Sequence, residues 1–482
     1  MHSIGDKIGR ATAFTLFFAM VGAFIYMDNL PFLAFPLGLM LIYVAIFHTN
    51  YAFLSLFIFA PLSFNIEEFS DRFGLFIPTE PLLFGLLLLF IWHSFLSETF
   101  PAYLRKNLII ISLISYLIVL LFTATLSTHP LVSFKFLLVK LWFAVPMIGF
   151  GTKVFEDKKN IKTALWLFVI GMTIAIIYTV IRHSMYSFGE KESHWVMSPL
   201  FKDHTIYGAM VAFALYILMG LTFSKKYSSL TTIIIVGLII INLIGLYFSF
   251  TRAAWLSVVA TLGVWALIHF KVKFSYLLTL FLIGMTIVLV NWSDISYAMS
   301  KNKKEHTTEN FGERLQSSTN VSSDASNLER INRWNSAIAM FQEKPWTGFG
   351  PGTYAFEYAP FQQPENKTII STVFGDGGNA HSEYLGALSE TGIFGLLTFV
   401  FFVSMIFFKG ITLYYRLDNR EDKIIVLSMI LALSTYFIHA FLNNYLDTDK
   451  AAVPIFGICA MFIAMEYKLK NKASEKVIKG NE

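Results

Sequence analysis

"NLIIISLISYLIVLLFTATL", residues 107–126, contains no charged side chain. As a helix it would rise about 30 Å, the depth of the hydrocarbon core of a bilayer. Lipid gives bare backbone groups no partners, so a segment that crosses it must satisfy them within its own helix. The stretch decides the fold because it is one of many. Similar apolar runs occupy 11–27, 31–48, 51–62, 80–96, 131–150, 161–182, 205–223, 229–249, 253–270, 274–292, 392–408, 424–442 and 451–467. The run at 51–62 is short enough to be re-entrant. Of the 482 residues 55% are hydrophobic, 17% aromatic and 14% charged. A soluble protein could not cover that much apolar surface with so few charges. The predicted fold is all-α, a polytopic membrane helical bundle of about 12–14 spans.

The formal charge of +5 does not point to nucleic acid, because the basic residues fall in short loops between spans. Cys459 is the single cysteine and lies inside an apolar run, so no intrachain disulfide is possible. The first span follows Lys7 and Arg10 as a signal peptide would, but "YMDNLP" follows it instead of a small-residue cleavage site. It reads as a retained helix.

One set of loops carries Lys7 and Arg10; Arg105 and Lys106; Lys153, Lys158 and Lys159; Lys225 and Lys226; Lys271 and Lys273; Lys409, Arg416, Arg420 and Lys423; and the tail "KLKNKASEKVIKGNE". The opposite short loops hold few: Arg72, Lys191, Lys202 and Lys450, with Arg182 at a helix end. The positive-inside rule places both termini in the cytoplasm. Three regions follow: a transmembrane region at 1–292, a large outer loop at 293–391, and C-terminal spans with a cytoplasmic tail at 392–482. A connection as long as 293–391 is usually functional. Its section "NLERINRWNSAIAMFQEKPWTGFGPGTYAF" predicts a helix over 327–343, with Ile331, Trp334, Ile338 and Phe341 on one face. "GFGPG" reads as a tight turn that closes this helix; no βαβ pattern surrounds it, so it is not a nucleotide loop.

The chemistry-bearing residues gather at the outer ends of spans. In "NAHSEYLGALSETGIFG", residues 379–395, Asn379 is the expected N-cap and His381 falls in the first turn. Free N–H groups and the helix dipole there disfavour a protonated imidazole. A neutral histidine suits a general base, and it equally suits an anchor at the interface. Arg252 in "SFTRAAW" stands at the outer end of a span, where a charge must be paired, solvated or used. Arg330 and Arg333 lie on the loop helix, Lys202 and His204 at the mouth of the span 205–223, and Lys140 with Lys135 inside the span 131–150. Cations collected on one side suit an anionic headgroup such as a diphosphate, whose oxygens match the planar fork of arginine. Each of these charges has a plainer reading as a solvated or snorkelling side chain. "LDTDK" holds Asp447 and Asp449, a D-x-D pattern short enough to arise by chance, and no Cys/His metal cluster is present.

Three of these segments together resemble the O-antigen ligase and polymerase superfamily of bacterial membrane glycosyltransferases. They are "SFTRAAWLSVV", "ERINRWNSAIAMFQEKPWTGFGPGTYAF" and the spacing His381, Ser382, nine residues, Gly392, two residues, Gly395. The resemblance covers about 230–410 by motif. It implies transfer of a glycan from undecaprenyl diphosphate to a hydroxyl acceptor, lipid A-core or a similar glycan, at the periplasmic face of the inner membrane. It implies no cofactor and no metal. His381 and Arg252 would be catalytic, and Arg330, Arg333, Lys202, His204 and Lys140 would bind diphosphate or glycan. The His-Ser-x9-Gly-x-x-Gly spacing favours the ligase branch. Alternatives are a polymerase of the same superfamily, a protein O-oligosaccharyltransferase, and a polysaccharide transporter. Against a transporter, no inverted repeat is present.

Overall fold

The computed structural model describes residues 34–68, 74–96, 102–272, 325–364 and 378–479, with isolated positions at 15, within 276–291, and at 367 and 371. The expected spans at 11–27 and 274–292 and the loop section 293–324 lie wholly or largely outside the described residues.

Helices follow the apolar runs. They are α1 (Ala34–Phe47), α2 (Thr49–Leu62), α3 (Thr79–Leu96), α4 (Leu108–Thr125), α5 (Pro130–Val154), α6 (Lys158–Ser184), α7 (His204–Ser224), α8 (Ser229–Tyr247), α9 (Arg252–His269), α10 (Ala325–Glu343), α11 (Glu383–Arg416), α12 (Arg420–His439) and α13 (Asp449–Lys479). Among the described residues nine are long and apolar enough to cross a membrane, and three shorter apolar helices precede them. The molecule is a polytopic all-α bundle. The short run at 51–62 does form a helix, α2, and a two-residue antiparallel pairing (Phe64↔Ile77, Asn65↔Phe76) closes the chain between α2 and α3.

Local chemistry sets where helices start. Asn107, Asp157, Ser228 and Asn419 each accept a hydrogen bond from a backbone N–H of the first turn that follows. Asp203 accepts from both Thr205 N (2.8 Å) and Ile206 N (3.0 Å) at the head of α7.

The centre of the bundle is α7 packed against α12, with α13 behind them. Lipid tails are as apolar as leucine, so association in a bilayer rests on close packing and polar contacts rather than on expulsion of water. Small residues supply the close approach: Gly220 lies on Ser428, Gly457 on Phe57, and Gly151 on Ala460. The outer helices α8 and α9 expose Leu230, Ile233, Leu256 and Val259, as lipid-facing surfaces do. At one end of the bundle Lys162 pairs with Glu421 (2.6 Å) and Lys409 with Glu466 (2.8 Å). At the other end α10 and the chain to α11 fold back over the helix mouths. Here Ala337, Met340, Phe349, Tyr354, Tyr358 and Ala380 form a small separate core.

The helix α10 matches the expected one, but its buried side differs. Ile331, Ala337 and Met340 are buried, whereas Trp334, Ile338 and Phe341 are only half-buried. Asn332, Arg333 and Ser336 are buried on that side as well, so polar residues share a packed face that an apolar-face rule leaves out.

Candidate active site

The turn 378–383 carries His381, and both α10 and α12 hold it in place. Arg333 Nη1 donates to the carbonyl of Asn379 (3.3 Å), and Trp334 Nε1 donates to the carbonyl of His381 (3.3 Å). From the other side Glu383 N donates to the carbonyl of Ala440 (2.9 Å). Glu383 Oε1 accepts from the Tyr436 hydroxyl (2.8 Å) and from the N–H groups of Tyr445 and Leu446 (2.7 Å each). The N-cap is Ser382, accepting from Leu385 N (3.3 Å), and not the expected Asn379. The side chain of Asn379 instead closes a turn on His381 N (3.0 Å), which leaves His381 with φ 47° in the left-handed region. His381 therefore stands just ahead of the helix rather than in its first turn.

Burial and the guanidinium charges of Arg330 and Arg333 push the His381 imidazole down to about 4, against weaker pulls from a hydrogen bond with Asn443 and from Glu329. The imidazole is neutral at physiological pH. Asn443 Nδ2 also lies 2.8 Å from His439 Nε2. His204 lies against His194 with ring centres 4.1 Å apart and the rings tilted by 44°. The charge of Arg330 is felt at His204, His381, His439 and Tyr445.

The seven expected site residues divide among several places. Arg330 and His381 come together, with His204 close to Arg330. Arg252 opens α9 directly after Thr251, whose hydroxyl donates to the carbonyl of His204 (2.8 Å), so backbone contact brings Arg252 to the same mouth. Arg333 is 5% exposed; its guanidinium pairs with Glu329 (2.7 Å) and lies 4.7 Å from the centre of the Tyr358 ring. It props the histidine turn. Lys202 is exposed beside the mouth. Lys140 is buried in α5 and lines a different cavity, together with Glu383, Glu390 and Asp447.

Asp447 and Asp449 diverge. Asp447 lines that cavity, while Asp449 is buried at the head of α13 against the hydroxyls of Ser63 (2.5 Å) and Thr79. Among the described residues no three His, Cys, Asp or Glu side chains are grouped to hold a metal ion. Reading the sequence missed Glu329, Glu383, Glu390, His439 and Asn443. The signal for the last two was present: they sit four apart where a span ends, His439 in the last turn of α12 and Asn443 just beyond it.

The His381 imidazole thus lies within the field of the half-buried Arg330, at the mouth of a polytopic helical bundle. Residues 237–400 match the family model described as O-antigen ligase, so this part of the chain is similar to that family. That match takes in Arg252, Arg330, Arg333 and His381. No curated protein matches the chain.

Proposed function

We propose that the protein transfers a glycan from undecaprenyl diphosphate to a hydroxyl of an acceptor, lipid A-core or a similar glycan, at the periplasmic face of the bacterial inner membrane. The region 293–391 is then the periplasmic catalytic loop, and both termini are cytoplasmic. The observation that carries this reading is His381, held neutral within the field of Arg330.

In the proposed step the acceptor hydroxyl oxygen attacks the anomeric carbon of the donor sugar. Its proton passes to the His381 imidazole. The bond from that carbon to the diphosphate oxygen breaks, and undecaprenyl diphosphate leaves with the electron pair. Direct displacement inverts the anomeric configuration. Arg330 and Arg252, with Lys202 and His204 at the rim, stabilise the charge on the leaving diphosphate. Fixed guanidinium groups supply that charge, so the step calls for no metal. Arg333 acts on His381 through the turn and not on the donor.

Purified protein with a lipid-diphosphate glycan and acceptor should form product without nucleotide. His381→Ala should lower turnover by about 10²–10⁴-fold, and Arg330→Gln by about 10²–10³-fold. Full activity in His381→Ala would overturn the assignment. In a deletion strain the ligase reading expects full-length glycan left on the carrier. Single repeats on the acceptor would show a polymerase instead.

A further inference from the structure

Beside the histidine turn lies a cavity of about 190 Å³ that the proposed transfer step leaves unused. Lys140, Glu383, Glu390, Asn444, Asp447 and Tyr354 stand on its wall, and neither His381 nor Arg330 does. Two short segments divide it from the arginine side: the turn 379–383 and the chain 443–447. Asn443 bonds to His381 on one side of that partition, and Asn444 lines the cavity on the other.

Lys140 is 4% exposed in the middle of a span, and among the described residues no hydrogen bond or ion pair reaches its ammonium. Its nearest companion is the Phe136 ring, 5.1 Å away. A buried ammonium in that position is costly unless it is used. The carboxylates nearby are partly occupied. Glu390 accepts from Gly352 N (3.0 Å) and Tyr354 N (3.1 Å), one bond to each oxygen. Glu383 Oε1 already has three donors. The unused capacity consists of the three Lys140 donors, Glu383 Oε2, the Asp447 carboxylate and the buried Asn444 Oδ1, which lacks a partner.

An anion fits poorly here, since three carboxylates face one ammonium. A cation meets the ammonium. A neutral group that both donates and accepts hydrogen bonds, with an apolar face to lay against Phe136 and Tyr116, satisfies every wall. We propose that this cavity binds one uncharged pyranose ring of the acceptor glycan, with Lys140 donating to its oxygens and Asn444 and Asp447 accepting from its hydroxyls. The proposal rests on the transferase reading: the diphosphate belongs with Arg330, which leaves the cavity on the far side of the His381 turn for a ring of the acceptor.

The test is saturation-transfer NMR on the full chain in nanodiscs, with methyl glycosides of glucose, galactose and N-acetylglucosamine, and with methyl glucuronide as the anionic control. Undecaprenyl diphosphate binding is measured in parallel. At least one neutral glycoside should bind, and the glucuronide about tenfold more weakly. Lys140→Met and Asn444→Ala should each weaken the neutral glycoside about tenfold and leave undecaprenyl diphosphate affinity unchanged. Asn444 lies between spans, so that variant serves if Lys140→Met does not fold. The inference is overturned if no neutral glycoside binds, if the glucuronide binds best, or if both variants keep wild-type sugar affinity. Arg330→Gln should weaken undecaprenyl diphosphate alone. If it does not, the transferase reading fails, while the sugar result stands on its own.

Discussion

His381 adopts a left-handed backbone conformation that costs a residue with a Cβ about 1–3 kcal/mol and persists only where its surroundings impose it. Here they do: Asn379, Trp334 and the Ser382 cap fix the turn on three sides. The chemical consequence lies in its titration. Burial and Arg330 disfavour the imidazolium, so the neutral form survives below the ordinary histidine range and is lost only towards pH 4. The pH profile of kcat/KM reports the free enzyme. It should stay flat from neutrality down to about pH 5, then fall, with no step at the unperturbed value of about 6.5. Arg330→Gln should move the acid limb upward, since it removes a positive neighbour. A limb at the unperturbed value in the wild type would remove His381 from the role of base. His381 and Arg252 were legible in the sequence because each is a polar residue at the end of an apolar run, and Arg330 and Arg333 because they lie on a helix in the long polar loop. Their division of labour was not. Arg330 and Arg333 are three apart on one helix, yet Glu329 and Tyr358 hold Arg333 while the charge of Arg330 reaches the histidines. Spacing along a helix fixes which residues share a face, not what the opposing element brings to meet them.

Between elements, "GFGPG" does more than close α10. Phe349 N donates to the carbonyl of Ser389 (3.3 Å) and Gly350 N to that of Glu390 (2.7 Å), while Thr128 N donates to the carbonyl of Phe349 (2.9 Å). The segment thus ties the start of α5 to the first turns of α11. Gly350 has φ 117°, and a Cβ there would run into Ser127, so no other residue fits this crossing. The helix α11 breaks at Gly392, where φ is 68° and a Cβ would sit 2.5 Å from the carbonyl oxygen of Trp346. That break lets 383–391 lean under the loop while the rest of α11 continues through the bundle. The sequence shows glycines at these places but not the partners that require them. Glu390 was invisible for the same reason: its two N–H donors come from a segment almost forty residues earlier in the chain. Glu390→Gln keeps the shape but leaves one acceptor where there were two, so it should destabilise the loop by about 1–3 kcal/mol. Glu357→Gln, at the more exposed pair with His129 (3.2 Å), should cost less than about 1 kcal/mol. Thermal unfolding of the purified variants in one detergent checks the order. Equal midpoints would mean that Glu390 is not a clamp.

At the scale of the whole molecule, the direction of the bundle decides whether the site meets a lipid-linked glycan at all. The two ends differ in kind. One gathers Lys162–Glu421 and Lys409–Glu466, and the other carries the loop core and the His381 turn. Since α7 runs from Asp203 beside Tyr445 to Gly220 on Ser428, it lies antiparallel to α12, and the two ends cannot exchange without rebuilding the packed centre. The excess of lysine and arginine in one set of loops was plain in the sequence, and it predicts that the ion-paired end faces the cytoplasm. The chain is suited to a direct test, because its single cysteine is buried in α13 and should not label in the folded protein. New cysteines at Glu343, on the exposed end of α10, and at Lys225, exposed after α7, report opposite ends. A membrane-impermeant maleimide should label Glu343→Cys in intact cells whose outer membrane is opened, and should label Lys225→Cys only after the inner membrane is breached. The reverse pattern would put His381 and Arg330 in the cytosol, away from any glycan displayed on the periplasmic leaflet, and the proposed transfer would have no donor.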